Sequence, residues 1–286
     1  MTHTYRIPDS TERHPAWHGG PVTDRACCIQ ANNADKYTIV GTNTWIVAEP
    51  DASAALIVDP GPADPDHLDA IMAACDNIGT KPAAIALTHK HIDHTESVPA
   101  FVQLAGRMPV FARAPLAKQP FAGATGFDYL PLPDGPFEPF DTCPSLRIVS
   151  LPGHSSDSVG IIVNQDHAMI TGDTIFRDWS TVIVYPDGNL REYLSSLDTI
   201  DSLADTGNAA ILLTGHGRPI IDPKSAVASY RAHRLERLHT LRNMLARYPD
   251  ASEEQLLNLV YGDIDASLHK AALDSLRAQM AYLTGQ

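Results

Sequence analysis

The sequence predicts an α/β fold over residues 1–222 and a smaller, all-helical segment over residues 223–286. Two observations lead to this prediction. Short runs rich in Val and Ile recur along the first part, and segments with helical periodicity lie between them. After residue 222 the strand-like runs stop, while the helical patterns continue.

The predicted strands are short apolar runs bounded by Gly, Pro, Asp or Asn, as buried strands are. They cover residues 44–49, 55–60, 83–88, 146–151, 159–164, 167–172 and 209–215. The proline-rich stretch 129–144 is predicted to be a loop or an edge segment, because proline cannot donate a hydrogen bond to a sheet.

Two helices are predicted between the strands, at residues 64–77 and 189–203, where apolar residues recur every three or four positions. A long helix is expected to begin at Asp222, since Asp-Pro is a frequent helix start. Two more helices should follow it, with Ser252 and Asp265 as N-caps.

The composition is that of an ordinary globular protein, with 44% hydrophobic and 19% charged residues. The first residues are polar and lack the apolar core of a secretory signal. No apolar run is long enough to span a membrane. The four cysteines show no C-x-x-C spacing, which indicates reduced thiols. These features predict a cytoplasmic protein without a membrane segment.

Charge is unevenly distributed along the chain. The formal net charge of −13 argues against a nucleic-acid coat protein. Residues 224–247 nevertheless contain six Lys or Arg and a single acidic residue. The simpler interpretation of this basic segment is a solvent-exposed helix face.

A dense group of histidines follows the predicted strand at 83–88. His89 and His91 lie two positions apart, so their side chains point to the same side of an extended chain. Asp93 and His94 follow at a turn into a helical pattern. Imidazole and carboxylate groups coordinate zinc-like metals at about 2.0–2.2 Å. The spacing therefore predicts a metal site at the end of this strand.

The stretch "THKHIDH" at residues 88–94 resembles the T-H-x-H-x-D-H signature of the metallo-β-lactamase superfamily. The resemblance extends over residues 36–222. Further positions match in the same order along the chain: Asp59 in "IVDPGP", His154 in "LPGHSS", Asp173 in "ITGDTIF" and His216 in "LLTGHG".

The resemblance implies an αββα sandwich, the metallo-β-lactamase fold, with two metal ions at the edge between its sheets. One metal would be held by His89, His91 and His154. The second would be held by Asp93, His94 and His216, with Asp173 bridging both. Since these ligands offer nitrogen and oxygen but no thiolate, two zinc ions are expected, and manganese or iron suits similar sites.

The implied reaction is hydrolysis by a hydroxide that bridges the two metals. Asp59, Asp93 and Asp173 are the predicted catalytic carboxylates, with Asp59 supporting the ligands from behind. An alternative of another class is a non-catalytic, metal-stabilised binding protein. The complete set of seven ligand positions argues against that alternative.

The bond that is cut has two competing predictions. "GTNTW" (41–45), "GHGRPI" (215–220) and "YRAHRLERL" (230–238) resemble the lactamase-beta-2-like branch, which includes single-stranded-RNA endonucleases with a winged-helix-like C-terminal module. A phosphodiesterase is then predicted, with the basic helix contacting phosphates. "TGDTIF" resembles "TGDTLF" of glyoxalase II. The alternative is therefore a thioesterase, or another hydrolase of small-molecule esters or lactones.

Substrate contacts are predicted between the bridging aspartate and the next helix, because this segment lines the substrate opening in the family. The candidates are Arg177, Trp179 and Tyr185. The alternative is that this segment is a packed surface loop.

Overall fold

Two β-sheets form the centre of the structure, a computed structural model that describes residues 17–113, 128–262 and 265–285. The first sheet has seven strands in chain order: β1 (Gly19–Pro21), β2 (Ala26–Gln30), β3 (Asn43–Val47), β4 (Ala54–Val58), β5 (Lys81–Ala86), β6 (Pro109–Ala112) and β7 (Asp128–Pro131). The second has five, in the spatial order β12-β11-β10-β9-β8. Its strands are β8 (Gly135–Phe137), β9 (Leu146–Ser150), β10 (Val159–Val163), β11 (Ala168–Gly172) and β12 (Ile211–Thr214).

Seven α-helices surround the sheets in the described residues: α1 (Pro65–Asn77), α2 (Ile92–Thr95), α3 (Val98–Ala105), α4 (Leu190–Asp205), α5 (Pro223–Arg247), α6 (Glu253–Tyr261) and α7 (His269–Thr284). Ser252 caps α6 in a full capping box with Gln255. Asp265 accepts a hydrogen bond from the Ser267 N–H at 2.8 Å and so caps the short turn that leads into α7. No described helix is both long and apolar enough to cross a membrane.

The apolar residues divide into layers because both faces of each sheet are covered. Trp45 and Leu56 of the first sheet pack against Ile148 and Ile161 of the second. On the outer face of the first sheet, Ile57 and its neighbours pack against α1 and α3. Helix α4 covers the outer face of the second sheet. The order is helix, sheet, sheet, helix, so the predicted αββα sandwich is confirmed.

Strand direction explains where the polar residues collect. The pairs β4-β5, β5-β6 and β11-β12 are parallel, so in each sheet their carboxyl ends lie at one edge. Strand β9 points the same way as β11, since both are antiparallel to β10. Side chains that follow β4, β5, β9, β11 and β12 therefore meet at one edge of the sandwich.

The two sheets are joined at this edge by hydrogen bonds. The Asn43 side chain donates to the carbonyl oxygens of Thr214 at 3.0 Å and Gly217 at 2.7 Å. The Val159 N–H donates to the carbonyl oxygen of Thr88 at 2.9 Å. The motifs "GTNTW" and "GHGRPI" are thus brought into contact, and they hold the sheets together beside the site.

The C-terminal helices pack on the sandwich and on one another. Val227 and Tyr230 of α5 belong to the apolar cluster around α4. Further along, Leu241 packs with Leu257 of α6 and Leu276 of α7. The described residues after Pro223 contain helices and no strand, which confirms the helical segment.

All seven predicted strands are present, with ends shifted by one or two residues in most cases. The prediction missed β1, β2 and β6. The proline-rich stretch supplies β7 and β8, each at the edge of its sheet, as predicted.

Candidate metal centre and its cavity

A first group of donors lies at the ends of β5, β9 and β11. The donor atoms of His89, His91, His154 and Asp173 lie within 4.8 Å of one another. Nδ1 of His91 is 3.1 Å from Nε2 of His89 and 2.9 Å from Nε2 of His154. Nδ1 of His154 donates to the carbonyl oxygen of Val182 at 2.6 Å, so its Nε2 carries a lone pair.

A second group shares Asp173 with the first. Asp93, His94, Asp173 and His216 also place their donor atoms within 4.8 Å. Nε2 of His94 is 3.1 Å from Oδ1 of Asp173. Nε2 of His216 is 3.3 Å from Oδ2 of Asp93 and 3.4 Å from Oδ2 of Asp173. The structure therefore brings all seven predicted ligand residues into two adjoining groups with one common member.

Asp59 lies behind both groups and fixes two imidazole rings. Its Oδ1 accepts the Thr88 N–H at 2.8 Å, and its Oδ2 accepts the Thr88 hydroxyl at 2.6 Å. Oδ2 also accepts Nδ1–H of His94 at 2.9 Å. The Thr88 hydroxyl lies 3.0 Å from Nδ1 of His89 and, since its proton goes to Asp59, it accepts from that ring. Asp59 thus directs Nε2 of both rings into the site.

The donor groups fit divalent metal ions. Nδ1 of His216 donates to the carbonyl oxygen of Gly41 at 3.1 Å, which leaves its Nε2 free to coordinate. Nε2 of His94 and Oδ1 of Asp173 are buried and make no hydrogen bond. Once Nε2 of His94 is deprotonated, it and Oδ1 of Asp173 are buried lone pairs that face one another, an arrangement that a cation between them would stabilise.

The two groups differ in their electrostatics. Burial lowers the pKa of His89 and His91 and lowers that of His154 to about 4, so these rings are neutral, as ligands must be. Burial also opposes the charged form of His216, but Asp173 and Asp93 outweigh it and raise its pKa to about 9. Burial likewise opposes the charged form of His94, but Asp173, Asp93 and Asp59 raise its pKa well above the usual value, so near neutral pH protons occupy places that a metal would take.

A cavity of about 790 Å³ opens onto both groups. His91, Asp93, His154 and Asp173 form one part of its wall. The loop after β11, the loop at residues 35–39 and the three C-terminal helices form the rest, and most of the cavity surface is apolar. Phe176 also lines the cavity, and its ring lies 5.3 Å from the ring of His216.

The predicted substrate contacts fall in two places. Arg177 and Trp179 line the cavity. Tyr185 packs against the apolar cluster around α4 instead, and it is not part of the cavity wall. Tyr230, Arg234 and Tyr261 also line the cavity, although no sequence pattern indicated this for them.

Comparisons with known proteins agree with this geometry. A family model described as the metallo-beta-lactamase superfamily matches residues 37–216. The chain is 24% identical over 267 residues to the beta-lactamase-like protein 2 homolog of Caenorhabditis elegans, with 92% of this chain and 85% of that protein covered. It is 29% identical over 269 residues to an atrochrysone carboxyl ACP thioesterase of Pseudocercospora fijiensis, covering 88% and 76% of the two chains.

The fold has solved counterparts as well. A beta-lactamase domain protein from Burkholderia ambifaria superposes with a TM-score of 0.76 at 20% identity, over 96% of this chain and 91% of that one. The family model covers more than half of the chain, and the predicted enzyme class is confirmed over the non-catalytic alternative. The chain belongs to the metallo-beta-lactamase superfamily and is a hydrolase with a metal-binding site of histidines and aspartates.

Proposed function

We propose that this chain hydrolyses an acyl thioester, the alternative reaction of the sequence analysis. The observation that carries the proposal is the largely apolar cavity of about 790 Å³ beside the two donor groups. Pockets of this size and character bind small molecules and bury most of their surface. An apolar acyl chain gains free energy from such walls, whereas a charged RNA backbone does not.

The wall nearest the site is held rigidly. The Tyr230 hydroxyl accepts the Phe176 N–H at 2.8 Å and donates to the carbonyl oxygen of Trp179. These two bonds fix the loop that follows Asp173 against α5. A fixed apolar wall orients an acyl group without the entropic cost of ordering a mobile loop.

The basic residues of α5 are mostly engaged inside the chain. Lys224 pairs with Asp205, and Arg231 pairs with Asp198. Arg234 and Arg237 lie against the cavity rather than on an open surface. The basic residues therefore do not form one continuous open surface for the phosphates of a long RNA strand, and RNA cleavage stays a prediction for which these contacts give no support.

The proposed metal ligands are the seven residues of the two donor groups, holding two zinc ions, with manganese or iron suited to the same donors. Bound divalent ions of this kind supply Lewis acidity that lowers the pKa of water and polarises a carbonyl. Asp59 keeps the rings of His89 and His94 in the coordinating tautomer. The ring of Phe176 packs beside that of His216, which is buried.

The proposed reaction adds water across a thioester. A bond forms between the water oxygen and the carbonyl carbon, the carbon–sulfur bond breaks, and a carboxylic acid and a thiol leave. The ACP thioesterase name of one relative supports this chemistry.

We further propose that residues 1–222 form the catalytic domain and 223–286 the helical subdomain. We place the protein in the cytoplasm, where its four free cysteines stay reduced.

The test compares two substrates on the zinc-, manganese- or iron-loaded protein. Octanoyl-N-acetylcysteamine is followed by thiol release, and a labelled single-stranded RNA by gel electrophoresis. Asp93→Ala and a chelated sample should lose activity, while Asp69→Ala on the exposed face of α1 should keep it. Cleavage of RNA but not of any thioester would overturn the proposal in favour of the phosphodiesterase.

A further inference from the structure

Arg234 is a buried guanidinium that forms no ion pair with a carboxylate in the described part of the chain. Its side chain lines the cavity, and the residue is 6% exposed. One terminal nitrogen donates to the carbonyl oxygen of Thr181, and Cζ lies 5.1 Å from the ring centroid of Tyr193. Its Nε is buried and makes no hydrogen bond. Burying a charge without a partner is expensive, and such groups occur where a ligand supplies the partner.

Arg237 lies one helical turn further along the same wall. Its Nη1 donates to the carbonyl oxygen of Val260 at 2.9 Å, and Cζ lies 5.0 Å from the ring centroid of Tyr261. Within the described residues neither Arg234 nor Arg237 forms an ion pair, unlike Lys224 and Arg231 of the same helix. Carbonyl and ring contacts orient both guanidinium groups but leave their charge uncompensated.

The acidic residues that line the cavity outside the two donor groups are already engaged. Asp274 pairs with Lys270 at 2.8 Å, and Asp178 with Arg218 at 3.3 Å. Asp35 accepts backbone N–H groups of its own loop, including that of Thr38 at 2.8 Å. The part of the cavity between α5 and α7 is therefore positively charged, although most of its surface is apolar.

We propose that Arg234 and Arg237 bind an anionic group of the substrate, in the part of the cavity away from the metal centre. Tyr230 marks the part of α5 beside the metal centre, because it contacts the loop that follows Asp173. Arg237 lies seven residues later on α5 and is therefore about 10 Å further along the helix from that part. The inference rests on the proposed thioesterase function and refines its substrate class. The anion is either a carboxylate on the acyl chain or the phosphate of a pantetheine arm, since paired guanidinium groups recognise both.

Four thioesters separate the two sources of charge. Octanoyl and suberoyl (terminal carboxylate) groups are each attached to N-acetylcysteamine and to 4′-phosphopantetheine. We compare kcat/KM for the zinc-loaded wild type, Arg234→Gln and Arg237→Gln. Arg242→Gln is the matched control, because Arg242 is exposed on the same helix and outside the cavity. Thermal unfolding of each variant checks the fold, and the partly exposed Arg237 is the safer substitution.

We expect the wild type to prefer one anionic substrate about tenfold or more over its neutral counterpart, the usual effect of a charge-assisted hydrogen bond. Arg237→Gln should remove most of that preference by lowering kcat/KM for the anionic substrate much more than for the neutral one, whereas Arg242→Gln should keep the preference. Equal rates on neutral and anionic substrates, or a preference that survives both variants, would overturn the inference.

A binding measurement keeps this outcome apart from a failure of the proposed reaction. Calorimetry compares suberate with octanoate, and 4′-phosphopantetheine with pantetheine, on the zinc-loaded protein. If none of the thioesters is cleaved, the thioesterase proposal fails. The anion site is then still supported if the wild type binds the ligand with the additional anionic group more tightly than its partner, and if Arg237→Gln abolishes that difference. It is refuted if the two ligands of each pair bind equally.

Discussion

Asp59→Asn should weaken metal binding without disturbing the backbone. Asp59 has a φ of 53°, a left-handed conformation that asparagine tolerates well. The amide can still accept the Thr88 N–H through its oxygen. Its NH₂ group then faces Nδ1 of His94, which now has to accept. The proton of His94 moves to Nε2, the atom directed into the site.

The magnitude follows from the bonds that are lost. The carboxylate accepts hydrogen bonds at 2.8, 2.6 and 2.9 Å, and the last of these determines the tautomer of His94. Removing such a partner costs about 10- to 100-fold in metal affinity, or roughly 1.4–2.7 kcal/mol. The second metal equivalent should be weakened most, because His94 belongs to the second donor group.

Competition with a chelating dye measures the two equivalents separately. Asp64→Asn is the matched control, since Asp64 caps α1 through its side chain and asparagine caps equally well. It should leave both affinities unchanged. Second-site affinity within twofold of wild type in Asp59→Asn would refute the role assigned to the carboxylate.

Three further outcomes concern protons and packing. The pKa of His216 is raised to about 9, so metal binding should release a proton, and metal affinity should rise from neutral pH towards pH 9. Calorimetry in two buffers with different ionisation enthalpies measures the proton release. A metal affinity that does not depend on pH would contradict this prediction. Burial lowers the pKa of His67 from 6.5 to about 4, so as the pH falls His67 is protonated in the unfolded chain before it is protonated in the folded one. The free energy of unfolding should therefore fall by up to ~3 kcal/mol as the pH drops from 6.5 to about 4. Denaturant titrations at several pH values should show a smaller fall for His67→Gln. Gly153→Ala places a Cβ 2.3 Å from the backbone of Tyr193 at a φ of 130° and should cost about 2–4 kcal/mol. Gly207 also has a positive φ, but a Cβ there meets no atom within 4 Å. Gly207→Ala should therefore lower the melting temperature clearly less than Gly153→Ala. Equal losses in the two variants would show that the contact with Tyr193 is not the cause.

Strands β1 and β2 were not predicted, because strands this short carry little periodicity in their sequence. Strand β2 (Ala26–Gln30) contains two adjacent cysteines and a glutamine, and strand β1 has only three residues. Both lie towards the edge of the first sheet, where pairing with neighbours decides the conformation. The position of Tyr185 in the apolar cluster around α4 was equally invisible, since nothing in a loop sequence tells which side chains turn inward.

The sequence by itself determined the buried strands and the residues that follow them. His89, Asp173 and His216 each come directly after an apolar run, so their places at strand ends were predictable without coordinates, and the resemblance to the metallo-β-lactamase superfamily implied that they converge. Only the tertiary structure decided the cavity and the uncompensated charge within it. Arg234 meets Thr181 and Tyr193 from a distant part of the chain, and such contacts depend on how helices pack, which no local pattern encodes.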